Sequence, residues 1–120
     1  MEESYLYYCK GVCEYEKGNY QEAISFFLKS CSLMPHYKTF ERLAFCYLKL
    51  NSIHDYERYI KSAYNLNTNN DKVATEYAEI ISDVNTDFAR LILSQVLKRN
   101  PTYEPAKALL DKISIRKIGE

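Results

Sequence analysis

The sequence predicts an all-α protein, a solenoid of stacked helix pairs, and three observations carry that prediction. A pattern returns every 33 residues: Gly11, Ala23 and Pro35 are answered by Ala44, Tyr56 and Thr68. A looser third copy follows in Ala78, Ala89 and Pro101. Only three glycines and three prolines interrupt 120 residues, and between them the apolar residues keep helical spacing. No stretch alternates apolar and polar residues for long enough to argue a strand. One unit of this length cannot bury its own apolar face, so units must stack. Stacked units present long surfaces, which suits binding better than catalysis.

The elements follow in order. A first helix is expected over Tyr5 to Lys17, ended by Gly18 and Asn19. Ala23, Phe26, Phe27, Ser30 and Cys31 mark one stripe of a second helix, which Pro35 stops because proline cannot continue a helix interior. Phe40, Leu43, Ala44 and Tyr47 form the buried stripe of a third, ending near Asn51 and Ser52. Tyr56, Tyr59, Ile60, Ala63 and Tyr64 make a fourth. The polar run from Asn65 to Asn70 is expected as a loop, with Asn70 or Asp71 as the next N-cap. Ala74, Tyr77, Ala78 and Ile81 mark a fifth helix, and Phe88, Ala89, Ile92, Leu93, Val96 and Leu97 a sixth that ends before Pro101. A last helix from about Tyr103, with Pro105 in its first turn, carries Ala108, Leu109, Asp111, Lys112 and Ile113. Its charged tail, Arg116 to Glu120, is expected to fray.

Composition narrows the function classes. Sixteen basic residues balance 16 acidic ones, which gives no electrostatic reason to expect nucleic acid or an anionic membrane as partner. No apolar run approaches the ~20 residues needed to cross a bilayer, and the acidic start lacks an export signal, so a cytoplasmic location is expected. Cys9, Cys13, Cys31 and Cys46 all fall within helical segments and are expected to be small buried hydrophobes in a reducing compartment. His36 and His54 supply no metal-ligand spacing, and no phosphate loop or flanked nucleophile is present, so neither metal, cofactor nor catalysis is expected.

The run from Tyr7 to Ile24, with Lys10-Gly11, then Gly18-Asn19-Tyr20, Glu22-Ala23-Ile24, and Pro35 twelve residues after Ala23, resembles a tetratricopeptide repeat (TPR). The resemblance implies a single TPR-like domain over 1–120. Its three helix-turn-helix repeats would lie at about 4–36, 37–70 and 71–101, with a C-terminal capping helix at about 103–116. It implies that Gly11 and Ala23 allow close helix approach and that Phe27 fills the space between neighbouring units. The second unit departs from the pattern at Tyr56 and Thr68, where the motif has alanine and proline, so a locally splayed helix pair is expected there. The third unit departs by a turn one residue shorter.

In this family the first helix of each unit lines the inner groove. The resemblance therefore assigns partner binding to Tyr5, Tyr8, Val12 and Tyr15, to Lys38, Glu41, Arg42, Phe45 and Lys49, and to Lys72, Thr75, Glu79 and Ser82. Relatives that grip chaperone carboxylates use lysines, asparagines and an arginine at set positions, which here hold Tyr8, Val12, Arg42, Lys72 and Glu76. Only Lys72 fits, and Glu76 would repel a carboxylate. The implied function is an interaction module that binds a peptide or protein segment, as adaptor or scaffold. The alternative is a small immunity or inhibitor protein that masks a toxin or enzyme, suggested by the short stand-alone array with its own cap. Survival of toxin-expressing cells without the protein would sink that alternative. A homodimer through the second-helix faces is a further possibility, which light scattering at two concentrations tests.

Overall fold

A computed structural model describes residues 2–119, with side chains through Ile115. The described residues form seven helices: α1 (Glu2–Glu16), α2 (Tyr20–Leu33), α3 (Tyr37–Lys49), α4 (Ile53–Leu66), α5 (Asp71–Ile81), α6 (Thr86–Arg99) and α7 (Glu104–Gly119). They gather into two compact units, Met1–Asn67 and Thr68–Glu120. In the first unit α1 packs on α2, α2 on α3 and α3 on α4; in the second α5 packs on α6, and α7 packs on both. The expected fraying of Arg116 to Glu120 concerns side chains outside those described.

The first pair is built on a close approach. Gly11 is buried, and a Cβ placed on it would lie 2.5 Å from Cε1 and 2.6 Å from Cδ1 of Phe27. The Phe27 ring is fully buried and sits 5.9 Å from the Tyr8 ring. Phe27 therefore packs against α1 within its own helix pair. At the open end of the pair two buried serines lock together. Ser4 donates its hydroxyl to the Ser30 carbonyl at 2.9 Å, and Ser30 donates to the Ser4 carbonyl at 2.8 Å. That bond explains why α1 begins at Glu2 rather than Tyr5: Ser4 is already an interior helical residue.

The closed ends of the first two pairs use one device. After α1, Gly18 takes φ 81°, its N–H bonds the Tyr15 carbonyl at 3.0 Å, and the Asn19 N–H bonds Glu14 at 2.9 Å. After α3, Asn51 takes φ 62°, bonding Leu48 at 3.0 Å while Ser52 bonds Tyr47 at 2.8 Å. Both are Schellman turns, which satisfy the last carbonyls through one left-handed residue. Asn51 carries a Cβ where Gly18 has none, so Asn51→Gly is expected to stabilise the protein by about 0.5–1 kcal/mol. A melting temperature unchanged or lowered in Asn51→Gly would refute this.

The third turn departs, as its missing residue requires. α5 stops at Ile81, nearer to Ala78 than Lys49 is to Ala44. Asn85 then caps α6, accepting from the Phe88 N–H at 3.1 Å, and Asn70 likewise caps α5 through Val73 at 3.0 Å. Asp71, opening α5, accepts two bonds from Arg99, closing α6, at 3.2 and 2.9 Å. Each charge sits at the helix end whose dipole favours it.

Several stripes shift in detail. α4 runs through Leu66, so the loop begins only at Asn67. In α7 the buried residues are Ala106, Leu109 and Ile113, whereas Ala108, Asp111 and Lys112 face solvent. The splay expected at Tyr56 is absent: α3 and α4 pack about as extensively as α1 and α2. Tyr56 stacks on Phe45 at 6.5 Å, using the ring as packing area along the crossing. Tyr59 lies between Phe40 at 6.0 Å and Tyr47 at 5.5 Å, so these tyrosines are structural.

Candidate functional site

On α3, Lys38, Arg42, Phe45 and Lys49 follow the i, i+4, i+7, i+11 rhythm that puts them on one stripe. Thirty-three residues earlier the same stripe of α1 holds Tyr5, Cys9, Val12 and Glu16. Within the first unit the two helices meet: the Arg42 guanidinium lies 5.8 Å over the Tyr15 ring. Tyr15 is in turn braced edge-on by Tyr20 at 5.4 Å. Tyr5 is 65% exposed and stacks on Tyr8 at 6.3 Å, with Tyr8 resting on buried Phe27. Lys38 and Lys49 are exposed, and Val12, Tyr15, Arg42 and Phe45 are half-buried. The result is an aromatic wall on α1 beside a basic wall on α3.

In the second unit two of the four residues that the resemblance assigns are buried. Lys72 and Glu79 are exposed, but Thr75 is buried, its hydroxyl donating to the Asp71 carbonyl at 2.7 Å. Ser82 is buried too and donates to the Glu79 carbonyl at 2.9 Å. Short hydroxyls that bond back to their own helix present nothing to a partner. Glu41 is half-buried.

Cysteine placement corrects the sequence expectation. Cys31 and Cys46 are buried, but Cys9 and Cys13 are exposed. α3 is covered by both α2 and α4, whereas α1 packs on α2 with only light contact to α3, so one flank of α1 stays open. Cys9 thus occupies the place in the α1 stripe that Arg42 holds in α3; only the 33-residue register could have revealed this. A hydrogen bond with Cys9, and then the charge of its thiolate, hold the Tyr5 phenol above its ordinary pKa. Burial pushes the Cys31 and Cys46 thiols up to about 11, so at pH 8 they remain protonated and unreactive. A thiol-specific reagent at pH 8 is expected to label Cys9 and Cys13 fast and the other two only on unfolding. Four equal rates would contradict this.

Among the described residues no helix is long and apolar enough to cross a membrane, and no three potential ligands cluster as a metal site would require.

The family model of the tetratricopeptide repeat matches residues 4–37. No curated protein matches the chain by sequence. Among solved structures, the chain is similar to the first TPR of Spaghetti (RPAP3) bound to an HSP90 peptide, SRMEEVD. That match has 21% identity and TM-score 0.77, and covers 99% of this chain and 95% of the other. The second TPR domain of human RPAP3, in complex with an HSP70 peptide, gives 18% identity and TM-score 0.71, covering 92% and 98%. YrrB, described as a TPR protein with an unusual peptide-binding site, gives 22% identity and TM-score 0.76; the match covers 95% of this chain and 60% of YrrB.

Proposed function

The chain carries a tetratricopeptide repeat and has the fold of domains built from it, and from that premise we propose that it is a protein-interaction module. The α1–α3 face of the first unit is where a peptide or protein segment docks. The observation that carries this reading is that Tyr5 stacks on Tyr8 and Arg42 lies over Tyr15, all four side chains being at least partly exposed. Tyrosine and arginine bury much area at little entropic cost, which is why they dominate binding hot spots. Lys38, Val12, Phe45 and Lys49 extend the surface. Two of the similar structures hold chaperone peptides. Here the positions that carboxylate-gripping relatives use hold Tyr8, Val12, Arg42, Lys72 and Glu76, of which only Lys72 fits. The partner therefore differs from a free chaperone C-terminus.

The test is a partner-affinity measurement on Tyr5→Ala/Arg42→Ala. Neither side chain is fully buried, so the fold should survive. Affinity is expected to fall at least tenfold, about 1.4 kcal/mol. Unchanged affinity in a folded variant would remove the face from the proposal.

A further inference from the structure

The two walls of this face differ in charge, and the spacing of the cations along α3 specifies what pairs with them. None of Lys38, Arg42 and Lys49 forms an ion pair among the described residues. They stand along α3 at ~0, ~6 and ~16.5 Å, from a rise of ~1.5 Å per residue. Phe45 sits within the same stripe, between Arg42 and Lys49. On α1 the equivalent positions are Tyr5, Cys9, Val12 and Glu16, so that wall is aromatic and apolar with a carboxylate at its end.

Resting on the reading of the α1–α3 face above, we propose that its partner is an amphipathic α-helix with an acidic stripe along Lys38, Arg42 and Lys49. An adjoining apolar stripe of that helix lies on Tyr5, Tyr8 and Val12. A helix laid alongside α3 repeats the same spacing, so carboxylates at i, i+4 and i+11 meet all three cations, with an apolar residue at i+7 against Phe45. An extended segment does not. Its same-side residues recur every ~6.7 Å, which meets Lys38 and Arg42 but falls ~3 Å short of Lys49 or ~4 Å beyond it. Exposed Glu16 fixes the orientation, since an acidic stripe turned toward α1 would meet like charge there.

The experiment uses the full chain and three synthetic helical peptides, each capped at both ends so that no terminal carboxylate is present. The first carries glutamate at its first, fifth and twelfth positions, leucine at its eighth, and a neighbouring leucine stripe. The second has the same composition with the glutamates spread round the helix. The third replaces the glutamates by glutamine. By fluorescence anisotropy the first is expected to bind about tenfold tighter than either control. That advantage should vanish in Lys38→Gln/Lys49→Gln, whose fold is verified by circular dichroism, and shrink as salt approaches about 1 M. Equal binding of the first two peptides overturns the proposal. If the glutamine peptide binds as well as the first, and Tyr5→Ala abolishes that binding, the acidic helix is wrong while the face stands. If no peptide binds, both fall.

Discussion

Phe27→Ala is expected to cost about 3–5 kcal/mol, the range for removing a buried phenylalanine ring. The ring is fully buried, it covers Gly11, and it supports Tyr8. Deleting it takes away the surface on which α1 rests, and the glycine opposite has no side chain with which to fill the space. The collapse that softens many such deletions is therefore restricted. Thermal unfolding followed by circular dichroism should show a melting temperature lower by at least about 10 °C. The loss should extend to the face, because Tyr8 and Tyr5 are stacked in series on that ring. A cost below about 1 kcal/mol would mean that the first pair is held chiefly by something other than this contact.

Gly11→Ala is the complementary case, in which one added carbon is expected to destabilise a helix it would ordinarily favour. Alanine gains about 1 kcal/mol over glycine in a helix interior. Against that, the new Cβ would fall 2.5 Å from an aromatic carbon of a ring with no exposed side to swing toward. Overpacking of this kind costs about 1–3 kcal/mol, so the net expectation is a loss of up to about 2 kcal/mol. The cause can be isolated by repeating the substitution in Phe27→Leu, where the smaller neighbour relieves the clash. The cost of Gly11→Ala should shrink there, a coupling that double-mutant cycles read directly. Identical costs in both backgrounds would place the strain elsewhere.

What a single sequence reveals divides along a physical line. Gly18, Asn70, Pro35 and Pro101 act locally on the backbone, and the helices end or begin beside them as expected. The close approach at Gly11 is legible only through the resemblance, which names the glycine but not Phe27 as the side chain that meets it. The contacts between distant positions are not legible. Ser4 and Ser30 stand 26 residues apart, Asp71 and Arg99 28, and nothing in a single sequence pairs them. By periodicity Ser30 is one more member of an apolar stripe, and Ser4 lies before the expected start of its helix.

The exposed cysteines show a different limit. Periodicity says which residues share a face; it does not say whether another element covers that face. Cys13 and Cys46 occupy the same position in successive repeats, yet one is exposed and the other buried. For the same reason Thr75 has the register of a groove residue and lies under cover. The register names the direction in which a side chain points, and packing decides what it meets.

The reciprocal serine bonds between α1 and α2 bear on how the first pair comes apart. Its closed end is held by the Gly18 turn and its open end by Ser4 and Ser30. A helix tethered only at its turn frays from the free end, one residue after another. A helix fastened at both ends has no free end from which to unzip. The amide protons near Ser4 should therefore be released together with those beside Gly11, in one cooperative opening that spans the pair. The rim of the proposed docking face would then be as durable as the core beneath it.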